Sequence, residues 1–251
     1  MRTVWAYRRV ITLITTLATL FSLYAFWMQT SSDGQWKGGS GAVGALFVRA
    51  LGVTLKAPFC TASIVPSPSG DLLLTAAHCL GKVPASDITF APYYHNGTAP
   101  FGNWRVTSQA FAPHWFPGGD PNSDFAFLTV SGNVQARAGA ERLGLSSPPP
   151  ARVTVEGYSL AGGATICTRK PTTIEVEHQR QLKFSCAGYT NGASGGPFLT
   201  DVSQKSGLGT IVGVVGGYQQ GGFSSDVSYS SPLTSTVLAL YRKLTRGRQA
   251  R

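Results

Sequence analysis

Between residues 42 and 218 the apolar runs of this chain are short, and Gly, Pro, Asn or Asp stands in nearly every gap between them. The runs are Ala42–Val48, Phe59–Val65, Leu72–Thr75, Ile88–Phe90, Asn103–Val106 and Phe125–Val130. After Ser146-Ser147-Pro148-Pro149-Pro150 they resume as Arg152–Tyr158, Thr172–His178, Gln181–Cys186, Pro197–Leu199 and Thr210–Tyr218. Runs this short between turn residues predict an all-β sandwich or barrel. Three consecutive prolines cannot feed a central strand, so they divide the chain into two β-rich halves of similar size. The 30 glycines follow no three-residue period, which excludes collagen. With 43% hydrophobic and 13% charged residues, disorder and coiled coil are excluded as well.

The formal charge of +10 points at first to nucleic acid or an anionic surface. Its distribution removes that reading. All 11 acids lie between Asp33 and Asp226, where 13 bases also lie, an excess of only two. The remaining bases are Arg2, Arg8 and Arg9 at one end and Arg242, Lys243, Arg246, Arg248 and Arg251 at the other. No phosphate loop or metal cluster is visible, and aromatic residues are not interleaved with a basic patch. Neither a cofactor, a metal nor a nucleic-acid partner is expected, and the chain is expected to act as a monomer.

Arg8 and Arg9 precede Val10–Met28, nineteen residues without a charge. A basic segment before an apolar run is an export signal. Its length also suits a membrane span, and the nearest small-x-small site is Leu23-Tyr24-Ala25. Tyr24, Phe26 and Trp27 would suit the outer interface of a retained anchor. Residues 1–28 are therefore read as a signal peptide or an N-terminal membrane anchor, and both remain open. Residues 29–40 form a polar spacer. Cys60, Cys79, Cys167 and Cys186 form no CxxC pair, so zinc and thioredoxin-like chemistry are disfavoured. In an oxidising space they predict two disulfides, with three pairings possible. At the other end, Val237, Leu238, Tyr241 and Leu244 recur at helical spacing, with the bases in the last turn and beyond.

Three segments carry chemistry. Leu72–Cys79 is an apolar strand that ends in small residues and His78. Asp124 opens the apolar run Phe125–Leu128. Asn191-Gly192-Ala193-Ser194-Gly195-Gly196-Pro197 sets a serine in a glycine turn. Each alone is ordinary, but together they supply what acyl transfer needs. A serine hydroxyl is a poor nucleophile until a base takes its proton. Histidine suits that role near neutral pH, and a carboxylate fixes its tautomer and stabilises the imidazolium. Glycines beside the serine let backbone amides converge on an oxyanion. The amides of Gly192 and Ser194 are the candidate donors.

TAAHC, DFAF and GASGGP resemble the chymotrypsin/trypsin family of serine peptidases, in that family's order of His, Asp, Ser. The segments GAVGALF, FCTASIV and FSCAGYTNGASGGPFL more closely resemble secreted trypsin-like peptidases of actinomycete bacteria. The likeness covers roughly residues 41–244. It implies two six-stranded antiparallel β-barrels, about 41–145 and 152–232, with the active site between them and a C-terminal helix at about 234–245. The peptidase domain as a whole would be 41–251. His78 and Asp124 would come from the first barrel and Ser194 from the second. The resemblance also implies a Cys60–Cys79 disulfide and, with that pair taken, Cys167–Cys186. The expected partners are proteins or peptides.

The chain departs from the family in two places. Zymogen-activated members carry an acid just before the nucleophile, where this chain has Ala193, and no activation site stands out between Met28 and Ala42. Activity without an internal cut is therefore expected. Trypsin-like specificity rests on an acid six residues before the nucleophile, where this chain has Gly188, so a preference for Lys or Arg is not expected. Asp226 is read as part of a surface turn, and His95, His114 and His178 as loop or strand-surface residues. Gly188, Gly216 and Gly217 are the expected substrate-binding positions. The reading is an exported serine endopeptidase, with a triad esterase or a non-catalytic binding module as alternatives.

Overall fold

The computed structural model describes residues 39–246, apart from 51–52, 55–56, 82, 146–147 and 161–162. The expected signal or anchor, most of the spacer, and the bases beyond Arg246 lie outside the described residues. So do Ser146 and Ser147. Among the described residues no helix is long and apolar enough to cross a membrane.

The first half is built from β1 (Val43–Ala50), β2 (Val53–Thr54), β3 (Cys60–Val65), β4 (Leu72–Thr75), β5 (Ile88–Pro92), β6 (Trp104–Phe111) and β7 (Ala126–Val130). They pair in the order β2-β1-β3-β4-β7-β6-β5, and β1 also pairs with β5, which closes a six-stranded barrel. Every residue of β3, β4 and β5 is buried. Such continuous burial explains why these strands read as unbroken apolar runs rather than alternating ones. Leu46, Ile64, Leu73, Leu74, Phe90 and Phe127 belong to the core they enclose.

A short helix α1 (Gln135–Ala138) leads to β8 (Arg142–Leu143). The second half continues with β9 (Val153–Tyr158), β10 (Ala164–Arg169), β11 (Thr172–Val176), β12 (Gln179–Ser185), β13 (Pro197–Thr200), β14 (Thr210–Val214) and β15 (Val227–Ser230). Here the ladders form two sheets, β10-β9-β13-β14-β8 and β11-β12-β15. Both supply one core, in which Val155, Leu182, Phe184, Phe198 and Val212 pack together. Strand β8 runs parallel to β14, so the chain has already joined the second half at Arg142. This is the two-barrel, mostly β architecture that the motifs implied, with the second barrel assembled from two sheets.

Two disulfides brace the halves. Cys60–Cys79 spans a Cα–Cα distance of 6.1 Å and ties the start of β3 to the turn after β4. Cys167–Cys186 spans 6.6 Å and ties β10 to the end of β12. The helix α2 (Ser235–Arg246) closes the described chain. It lays Val237, Leu240, Tyr241 and Leu244 against the core of the first barrel. The Tyr241 hydroxyl donates to the Pro66 carbonyl at 2.6 Å.

Candidate active site

Strand β4 ends because Ala76 and Ala77 are small enough to turn within the buried interior, both being fully covered. A single 3₁₀ turn over Ala77–Cys79 follows, and the Cys60–Cys79 bridge anchors it. His78 stands at the middle of that turn. Asp124 comes from the other side, off the turn Pro121–Ser123 that precedes β7. That turn is capped by Asp120, whose carboxylate accepts from the Asn122 amide at 2.8 Å and the Ser123 hydroxyl at 2.9 Å.

Asp124 is 1% exposed and holds three donors. Its Oδ1 accepts from the His78 amide at 2.8 Å, and its Oδ2 meets His78 Nδ1 at 2.7 Å. The Gly217 amide donates to Oδ2 at 2.8 Å. A carboxylate can only accept, so the His78 proton sits on Nδ1 and Nε2 is left as the basic nitrogen. Gly216 packs against the same carboxylate, and a Cβ there would lie 2.7 Å from Oδ2.

Ser194 sits on a loop whose peptide planes are fixed one by one. The Asn191 carbonyl accepts from the Leu160 amide at 2.8 Å, and the Ala193 carbonyl accepts from the Gly196 amide at 3.0 Å. In a trans peptide the N–H points opposite to its carbonyl. The Gly192 and Ser194 amides, which share those two peptides, therefore point away from Leu160 and Gly196. Among the described residues the amides of Ala193, Gly195 and Gly196 all donate to backbone carbonyls, whereas those of Gly192 and Ser194 do not. Gly192 has φ +102°, and a Cβ there would lie 2.5 Å from the Tyr158 carbonyl oxygen, so no side chain fits.

His78, Gly192, Ser194 and Val215 line one cleft of about 630 Å³. Among the described residues no hydrogen bond joins the Ser194 hydroxyl to the imidazole, a contact that tightens in many enzymes only when substrate binds. The fold thus gathers His78, Asp124, Ser194 and Gly192 at one place. It does not bring Gly188, Gly216 or Gly217 into the lining of that cleft. Gly188 lies exposed beside Thr165, whose hydroxyl donates to its carbonyl at 3.2 Å. Gly216 and Gly217 lie buried behind the cleft, where their small size admits the Asp124 carboxylate. Asp226, His95, His114 and His178 are exposed and outside the lining.

Sequence reasoning gave no role to Thr61, which organises the whole loop. Its hydroxyl donates to the Gly192 carbonyl at 2.9 Å and accepts from the Tyr158 amide at 2.8 Å. Its own amide donates to the Ser194 carbonyl at 2.7 Å. Its polarity alone did not single it out, because β3 holds a second buried polar residue, Ser63. Gln181 and Asn122 were also unread: buried and bonded to each other at 2.9 Å, they support the chain around Gly217 and Tyr218. Cys60, His78 and Cys79 are grouped closely enough to suggest metal ligands. Both sulfurs are spent in the disulfide, however, and a disulfide has no thiolate to offer.

The family model for trypsin matches residues 38–232. No curated protein sequence matches the chain. Among solved structures it is similar to the protease Anisep from Arthrobacter nicotinovorans, with a TM-score of 0.67 at 20% identity, covering 82% of this chain and 96% of that one. It is also similar to a thermostable serine protease AL20 from an extremophilic microorganism, with a TM-score of 0.68 at 21% identity, covering 82% and 98%. A Glu endopeptidase gives a TM-score of 0.61 at 14% identity, covering 83% of this chain and 92% of its own.

Proposed function

The chain belongs to the trypsin family and is a serine endopeptidase acting on proteins or peptides, and from that premise we propose that Ser194, His78 and Asp124 carry out the hydrolysis, outside the cell. In this reading His78 Nε2 takes the Ser194 proton as the oxygen attacks the scissile carbonyl. The carbonyl oxygen becomes an oxyanion, received by the Gly192 and Ser194 amides. Asp124 stabilises the imidazolium that results. The imidazolium then gives its proton to the leaving amine, and an acyl-enzyme on Ser194 remains. Water enters, His78 takes its proton, and the same steps run in reverse to release the acid.

The observation that carries this reading is the pair of amides at Gly192 and Ser194 beside the serine, which find no acceptor among the described residues. Preorganised donors of this kind are worth about 10²–10³ in kcat each. Export is supported by Arg8-Arg9 before Val10–Met28 and by two disulfides, which persist in oxidising compartments. Residues 10–28 would be removed with a signal peptide or kept as a tether, leaving the catalytic domain outside in either case.

The test is labelling of the purified protein with a fluorophosphonate probe, followed by assay on unstructured protein. Labelling at Ser194 with peptide cleavage is expected, and Ser194→Ala should lose both while unfolding at an unchanged temperature. Disulfide-bonded wild-type protein that takes no label at Ser194 would refute the assignment.

A further inference from the structure

The loop that carries Ser194 is flanked by two walls. On one side the Thr61 amide holds the Ser194 carbonyl at 2.7 Å, and on the other the Gly195 amide donates to the Val215 carbonyl at 2.7 Å. The first wall continues to Phe59, next to Thr61's neighbour Cys60, and to Leu160, whose amide is bonded to Asn191. The second continues from Val215 through Gln219 to Phe223. Phe223 is 86% exposed and Leu160 is 49% exposed, and both line the cleft. Single exposed apolar residues are common on protein surfaces. Two of them on the two walls of one cleft, with a half-buried Phe59 beside one, form an apolar surface that the other described residues leave uncovered.

Between these walls the described lining carries hydroxyl and amide groups rather than charges. Among the described residues the cleft lining holds no Asp, Glu, Lys or Arg, and its one imidazole, His78, already faces Asp124. The phenol of Tyr189 is turned inward, donating to the Val155 carbonyl at 2.7 Å. Ser225 and Ser228 are the lining residues around it, while Asp226 between them is exposed to solvent. A charged substrate side chain entering this space would lose its hydration and gain no counter-charge.

Resting on the assignment of Ser194 as the nucleophile, we infer that this enzyme cuts polypeptide beside an uncharged residue in an apolar stretch, with Phe223 and Leu160 as specificity-determining residues on opposite sides of the scissile bond. An extended segment crossing Ser194 from one wall to the other lays one side chain against Phe59 and Leu160 and another against Val215 and Phe223. Each contact removes an exposed apolar group of the enzyme from water, which favours apolar substrate residues at both places.

The test is a peptide-library digest by the isolated enzyme, followed by kcat/KM on matched peptides. The peptides carry Leu, Gly, Lys or Glu at each position flanking the bond. Wild type should cut beside uncharged residues, and Leu should exceed Gly on both sides. Phe223→Ser should lose about tenfold or more of the Leu-over-Gly preference on one side only, and Leu160→Ser on the other. Phe223→Leu should restore most of what Phe223→Ser loses. Both side chains point into solvent, so the variants should melt at the wild-type temperature. Cleavage concentrated beside Lys, Arg, Asp or Glu would overturn the inference, as would unchanged preferences in both serine variants. If wild type labels at Ser194 in these outcomes, the specificity alone has failed. If it does not label, the assignment of the nucleophile has failed and takes the specificity with it.

Discussion

At the scale of single residues, the proposed trio of His78, Asp124 and Ser194 stood out in the sequence because acyl-transfer chemistry demands particular side chains in a particular order. Its supports did not, because glycines and a buried threonine carry no chemical signature. Gly216 and Gly217 illustrate the difference. Expected at the substrate, they also give the Asp124 carboxylate space and a donor. Gly216→Ala should therefore displace the Asp124 carboxylate and lower kcat by about 10²-fold with less change in KM, as misplacements of about 1 Å do. Steady-state kinetics on a peptide substrate checks this.

Glu156 was also passed over. Burial pushes its carboxyl up to about 8, the Ser40 amide counters this in part, and the nearby Glu141 carboxyl adds to the rise. Among the described residues its Oε1 has no hydrogen-bond partner. Between pH 4.5, its ordinary value, and about 8 the folded protein holds a proton that the unfolded chain releases. That contribution to stability is complete below about 4.5 and is lost as pH rises through about 8, with each unit worth about 1.4 kcal/mol. Glu156→Gln, which keeps the neutral shape, should flatten this decline. Denaturant midpoints of both proteins from pH 5 to 8 measure it.

At the scale of elements, strands buried along their whole length were visible as apolar runs, β3 and β4 above all. Four strands were not: β2 and β8, of two residues each, and the longer β10 and β15. β10, Ala164–Arg169, buries only Cys167 fully and shows solvent its polar residues. β15, Val227–Ser230, buries Ser228 and Ser230, so hydrophobicity is silent exactly where the strand is inside. Ser230 is there because β14 passes close by: a Cβ on Gly213 would collide with its hydroxyl. The run expected to continue to Tyr218 ends as a strand at Val214, and the chain turns at Tyr218–Gly221, where Gln219 and Gln220 adopt φ +53°. The two disulfides close loops of equal length, 19 residues apart in each case, so chain entropy gives each about 3 kcal/mol. Their locations differ. Replacing Cys60 and Cys79 by Ala should cost activity beyond its cost in stability, because that bridge holds the His78 turn. Replacing Cys167 and Cys186 should cost stability of the same order and less kcat. Thermal melts paired with kcat for both double variants distinguish them.

At the scale of the molecule, most of the net charge belongs to the ends, and the described lining of the cleft holds no Asp, Glu, Lys or Arg. Two halves divided by prolines were readable from punctuation. What no local pattern could reveal is where the halves exchange material: β8 joins the second half from before the prolines, and α2 returns from the second half to the first. Ending the chain after Pro232 removes Val237, Leu240, Tyr241 and Leu244 from the first core, a loss of about 4–6 kcal/mol. At about 2–4 °C per kcal/mol the melting temperature should fall by about 10 °C or more, which calorimetry on the truncated protein would register. The bond from Tyr241 to Pro66 joins residues 175 apart in the chain. A polypeptide leaving a cell amino end first would hold its histidine and aspartate outside while the segment that seals their barrel was still within. The order of synthesis would then act as a safety catch, keeping the cutting edge blunt until the last turn of helix had crossed.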